Sequence, residues 1–122
     1  MTKVNISEQA QETLLHHWQA FKAGDVEAIM ADYSEDAMLI TADRTLKGRP
    51  QIRSLFAQIF ANMFPPDSTS LTSARQVIEG EIAYILWPAS SAHYNAPFST
   101  DTFVMRDGKI IAQSFAAQLQ GN

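Results

Sequence analysis

The chain has 122 residues, 46% of them hydrophobic, enough to bury one core and close to the usual size of one domain. Nine basic against 13 acidic residues, a net charge of −4 and no basic run leave no electrostatic footprint for nucleic acid or for an anionic membrane surface. The absence of cysteine excludes disulfides, thiolate zinc sites and cysteine nucleophiles; the opening MTKVNISEQAQET lacks the apolar core of a signal peptide, and no apolar run reaches the roughly 18 residues that span a bilayer. The expectation is a soluble, cytoplasmic, single-domain protein.

The first element is a helix over Ser7 to Ala23, with Asn5 or Ser7 as its cap. At 100° per residue Ala10, Leu14, His17, Trp18 and Phe21 fall within one arc, while His16 points to the opposite, solvated side. Gly24 stops this helix and Asp25 caps the next, in which Val26, Ile29, Met30 and Tyr33 form one buried stripe before Ser34-Glu35-Asp36 ends it. Ala37 to Thr41 reads as a strand, with a polar turn at Asp43-Arg44 and a short return through Lys47 to Gly48. Pro50 stands in the first turn of a third helix. There Ile52, Leu55, Phe56, Ile59, Phe60 and Met63 follow without a break until Phe64-Pro65-Pro66-Asp67 stops them.

Everything after Asp67 reads as sheet. Ser68 to Glu79 and Glu81 to Tyr94 are rich in Thr, Ser, Val, Ile, Tyr and Trp, and Glu79-Gly80 supplies the turn between them. Asn95-Ala96-Pro97 turns the chain again. Phe98 to Arg106 and Lys109 to Leu119 flank Asp107-Gly108, the strongest hairpin signal present, which completes a four-stranded antiparallel meander. Pro88 cannot donate to a ladder, so Trp87-Pro88 belongs at an edge or a bulge. Helices followed by a meander make an α+β fold with the helices on one face of the sheet.

Four stretches carry a resemblance: the Ala23-Gly24-Asp25 helix junction, the run Ala-Asp-Tyr-Ser-Glu-Asp-Ala from Ala31 to Ala37, the Gly-x-Pro-x-Ile start at Gly48, and Asp107-Gly108-Lys109-Ile110. Together they resemble the SnoaL-like and ketosteroid-isomerase-like domains of the nuclear-transport-factor-2-like superfamily, over nearly the whole chain. The resemblance implies a cystatin-like cone, three N-terminal helices held in a strongly bent, mostly antiparallel sheet, with a pocket between the first helix and the concave face. Such scaffolds host isomerases, cyclases, dehydratases and binding modules, so fold is implied more sharply than reaction.

The family's catalytic groups are carried over one by one. The ketosteroid isomerase base falls on Thr41, whose hydroxyl is no base near neutral pH. Asp43 is a substitute for it, or a solvated turn residue. The isomerase tyrosine of the first helix falls on His17, and the second oxyanion-hole residue on Asp101, which strand alternation places on one face with Phe103 and Met105. The acid-base aspartate that SnoaL-like cyclases carry on the last strand has no counterpart in Ile111 to Phe115. The resemblance therefore nominates His17 and Asp101 as a polar pair facing each other across the cavity. Trp18, Tyr33, Phe103 and Phe115 are its wall or simply core, and His93 is a rim residue or merely exposed. Three histidines, two of them adjacent and unable to share a face, give no ligand spacing, so neither a metal nor another cofactor is expected. Two functions remain open: proton transfer on a small, mainly apolar carbonyl compound, or non-catalytic binding of such a ligand or of a protein partner. A homodimer through the outer face of the sheet is also expected, because Thr102 and Val104 would face outward with other apolar residues.

Overall fold

A computed structural model describes residues 5–122; the first four residues, part of the stretch read above for a signal peptide, lie outside the described residues. Helix α1 (Ile6–Ala23) is capped by Asn5, whose side chain accepts from the Glu8 N–H, and closes on Gly24 at φ 65°. A Cβ at Gly24 would lie 2.7 Å from Pro66 Cγ, so this junction needs glycine for space as well as for angle. Asp25 caps α2 (Val26–Met30) by accepting from the Ala28 N–H at 3.1 Å.

Here the chain departs from its helical pattern. Tyr33, the expected last residue of the α2 stripe, instead opens strand β1 (Tyr33–Ile40), so Ser34, Glu35 and Asp36 belong to a strand rather than to a helix stop. The cause is capture by the far end of the chain: the Ile110 N–H donates to the Asp32 carbonyl, and Tyr33 pairs in parallel with Ile110. A single further helical turn cannot compete with that pairing. Strand β2 (Thr45–Lys47) returns antiparallel to β1, and Pro50 lies in the first turn of α3 (Arg49–Gln58). The apolar run continues past Gln58, but its last turn, Ile59–Met63, is π-helical and closes with the Phe64 N–H on the Ile59 carbonyl.

The sheet follows as β3 (Ser70–Leu71), β4 (Arg75–Glu79), β5 (Ile82–Leu86), β6 (Ala89–Ser90), β7 (Tyr94–Arg106) and β8 (Lys109–Gly121). Its order is β2-β1-β8-β7-β5-β4, with β6 on β7 and β3 on β6, antiparallel throughout except where β1 meets β8. The expected four strands are thus cut into more pieces at Pro88 and before Arg75. Conversely, Asn95-Ala96-Pro97 does not turn the chain; it is absorbed in β7 as an irregularity of register between Asn95 and Phe98. Asp107 and Gly108 make the tight hairpin, both at positive φ. Helices α1 and α3 pack against the inner face of this curved α+β sheet, over a core that includes Leu14, Ile29, Leu39, Ile52, Phe103 and Ile110.

Candidate functional site

A cavity of about 490 Å³ opens between α1, α3 with its π-helical turn, and the concave face of the sheet. Helix α1 contributes Leu14, His17, Trp18 and Phe21; the α3 segment contributes Leu55, Phe56, Ile59 and Met63; the sheet contributes Leu39, Ile85, Phe103 and Phe115, and the break between β5 and β6 contributes Trp87. Into this apolar wall β7 and β8 place two polar side chains, Asp101 and Gln113. They arrive there by strand alternation, since Asp101 pairs with Ile85 on one side and Phe115 on the other, and Gln113 pairs with Phe103.

Asp101 is buried, and both of its carboxylate oxygens accept from protein donors. Trp87 Nε1 donates to Oδ2 at 2.7 Å and Gln113 Nε2 donates to Oδ1 at 2.8 Å. The Gln113 amide is oriented in turn by the buried Tyr33 hydroxyl, which donates to its Oε1. Burial pushes the Asp101 carboxyl above the usual aspartate range, against the opposing pull of the Gln113 and Trp87 hydrogen bonds and, last, the charge of His17. The Tyr33 hydroxyl is pushed well above the usual tyrosine range by burial first and then by the charges of Asp101 and Asp32. It therefore stays a donor.

His17 is buried and held edge-on by aromatic rings, with centroids 5.5 Å from Tyr33 and 5.3 Å from Phe103. Its Nδ1 faces Asp32 Oδ2 at 3.4 Å, close enough for an ion pair yet out of line for a hydrogen bond, so this buried nitrogen has no hydrogen-bond partner. The neighbouring His16 is not simply solvated as the helical pattern implies. Its ring is half exposed, and its Nδ1 lies 2.8 and 2.9 Å from the two oxygens of the same Asp32. Adjacent helix positions meet one carboxylate because Asp32 sits just past α2, beneath the flank of α1 between the two side chains.

The other nominated residues divide. Trp18, Phe103 and Phe115 line the cavity, whereas Tyr33 lies behind the wall and acts through Gln113. Thr41 and Asp43 line the cavity with Arg44, and the Thr41 hydroxyl donates to Asp43 Oδ1 at 3.0 Å. His93 is exposed in the turn between β6 and β7, away from the cavity lining. His17 and Asp101 share the cavity, but no hydrogen bond joins them among the described residues. Sequence reasoning passed over three participants. Gln113 was signalled only by a polar side chain on an inward strand position, Trp87 by an indole beside the strand-breaking Pro88, and Asp32 by an acid placed between two apolar elements. Among the described residues no cluster of three His, Asp or Glu side chains has metal-binding geometry, and no helix is long and apolar enough to cross a membrane.

The chain matches the model of the SnoaL-like domain over residues 14–113, and it belongs to that family. No curated protein matches it. A nuclear-transport-factor-2-like protein of unknown function from Burkholderia xenovorans LB400 is similar in structure, with a TM-score of 0.79 at 23% identity over 93% of this chain and 85% of that one. A candidate ketosteroid isomerase from Kribbella flavida DSM 17836 has a TM-score of 0.77 at 15% identity over 92% and 79% of the two chains. An LEH-like epoxide hydrolase from M. tuberculosis has a TM-score of 0.73 at 11% identity over 92% and 84% of the two chains. At these identities the likeness is one of fold.

Proposed function

We propose that the cavity takes a small, mainly apolar molecule bearing a carbonyl group and moves a proton on it, an isomerase, cyclase or dehydratase type of chemistry in which His17 and Asp101 are the working groups. The observation that carries this reading is a buried carboxyl and a buried imidazole on the wall of one mainly apolar cavity of about 490 Å³. Placing either group in such surroundings without use is expensive, and a carboxyl raised by burial as Asp101 is belongs to the kind of group that gathers at sites of chemistry. The volume is that of an ordinary small-molecule pocket.

Non-catalytic binding is the second reading, favoured by one feature. The residue at the isomerase base position is Thr41, and nearby Asp43 is occupied by the Thr41 hydroxyl in a turn at the cavity mouth. Mass spectrometry of a denatured, freshly purified sample identifies any co-purifying ligand, and incubation of that compound in D2O separates the readings. Deuterium uptake with the wild type but not with Asp101→Asn or His17→Leu supports proton transfer; binding without uptake leaves the protein a ligand carrier. We also read the outer face of the sheet as the contact between two copies, because Ile40, Ile82 and Phe98 are exposed there.

A further inference from the structure

The hydrogen-bond wiring around the two buried groups gives them opposite characters, a division that rests on the cavity being the site of proton transfer. His17 Nδ1 has no hydrogen-bond partner, and the oxygen nearest to it that the ion-pair geometry records is Asp32 Oδ2 at 3.4 Å. A bare nitrogen lone pair facing a carboxylate oxygen would set two acceptors against each other, whereas an N–H there completes a hydrogen bond after a small tilt of the ring. A neutral His17 then carries its proton on Nδ1 and leaves Nε2 as an acceptor. Asp101 is wired the other way. Both of its protein partners, Trp87 Nε1 and Gln113 Nε2, are donors, and the Gln113 amide is kept from reversing by the Tyr33 hydroxyl on its oxygen. When Asp101 carries a proton, neither partner can accept it, and the ligand in the cavity is the group left to do so.

We infer that Asp32 is the positioning residue that fixes His17 as the Nδ1–H tautomer and so makes it the base of the cavity, with Asp101 as the acid that protonates the ligand oxygen. The ligand class follows: a carbonyl compound with an acidic C–H beside the carbonyl. The C–H bond breaks with its proton passing to His17 Nε2, the electron pair forms the C=C bond of an enol, and the carbonyl oxygen takes the proton of Asp101. The products of the step are enol, imidazolium and carboxylate. Return of the imidazolium proton to the enol carbon, and of the enol proton to Asp101, restores the carbonyl compound with its C–H proton exchanged or that carbon inverted, and with no net change in the protein. His16 serves this arrangement from outside, since its Nδ1 engages both Asp32 oxygens and holds the carboxylate beneath α1.

Long-range nitrogen–proton correlation spectra of the imidazoles, recorded roughly two pH units above the usual imidazole pKa, read the tautomer directly. The wild type is expected to show His17 protonated on Nδ1, the reverse of a free histidine. In Asp32→Ala the ratio of Nδ1–H to Nε2–H should fall about fivefold or more, the equivalent of one ordinary hydrogen bond, and Asp32→Asn should restore it through the remaining amide oxygen. A wild-type spectrum with the proton on Nε2 overturns the inference even if both variants fail to fold. An unchanged ratio in a folded Asp32→Ala overturns it equally. The parallel probe is 2-naphthol, a two-ring apolar molecule with one hydroxyl, followed by its fluorescence. Binding of naphthol with His17 protonated on Nε2 leaves the cavity reading standing and removes the wiring. No binding with His17 protonated on Nδ1 removes the cavity reading, while the role of Asp32 stands.

Discussion

Gln113 shows how much a single neutral side chain does in this molecule. It is the strongest of the influences that draw the Asp101 carboxyl down, and the acceptor for the buried Tyr33 hydroxyl. Gln113→Leu strips both, so the Asp101 pKa should rise further, visible as a carboxyl carbon titration moving to higher pH, and stability should fall by roughly 1 to 3 kcal/mol for the orphaned groups. The pH dependence of stability tests Asp101 itself. Its native pKa lies above its unfolded value, so the folded state binds the proton more tightly. That contribution is fully present below the usual aspartate pKa and is lost as pH rises through the native pKa. Urea midpoints of wild type minus Asp101→Asn should therefore decline over that window and level off above it. Of this site, the family resemblance nominated Asp101, and the regular alternation along β7 from Ser99 to Met105 put it on one face with Phe103. Gln113 and Asp32 stayed hidden because an amide and a carboxylate carry no periodic signal of their own, and their roles exist only through partners 80 and 16 residues away.

Among the elements, the α1–α2 junction is the tightest. Gly24 combines φ 65° with a would-be Cβ contact of 2.7 Å to Pro66, while Gly80 has a similar φ of 58° and open space around it. Gly24→Ala should therefore cost backbone strain plus overpacking, roughly 2 to 5 kcal/mol in all, against about 1 kcal/mol for Gly80→Ala. Equal losses in urea denaturation would show that the Pro66 contact yields freely. Helix starts and stops were legible for a related reason: Asn5, Gly24, Asp25 and Pro50 each perform a local task that no distant contact alters. The failures were at Tyr33 and at Asn95 to Pro97, where a strand partner far along the chain overrode a helical period and a turn composition. The π-helical turn escaped notice because Ile59, Phe60 and Met63 keep a helical spacing that does not distinguish four from five residues between hydrogen-bonded groups.

At the scale of the whole molecule, the outward residues of the sheet form a surface that a lone copy leaves wet. Ile40 stands opposite Ser114, Ile82 opposite Val104, and Phe98 is half exposed on the same face as Thr100 and Thr102. Sedimentation equilibrium should give twice 13.6 kDa at micromolar concentration, and Phe98→Asp, which buries a charge in that contact, should shift the mass to the monomer. A wild-type monomer would set the pairing aside. The α+β order was legible because each of its layers is written locally, helices by period and the hairpin by Asp107-Gly108, while the bend of the sheet into a cone was implied by the family resemblance alone. What no local pattern announces is the parallel seam between β1 and β8, which joins Tyr33 to Ile110 and brings Tyr33 against Gln113 across a separation of 80 residues. Such a seam governs time as well as shape. A separation of 80 residues must close before the Tyr33 hydroxyl orients Gln113, whereas the donors of Asp101 stand only 14 and 12 residues from it, so the outer support of the site is assembled after its inner hydrogen bonds and is lost before them. Trp87, tied to Asp101 by its indole N–H, is a built-in reporter of the earlier, inner step, and its fluorescence should change in a slower phase than the appearance of helix by circular dichroism.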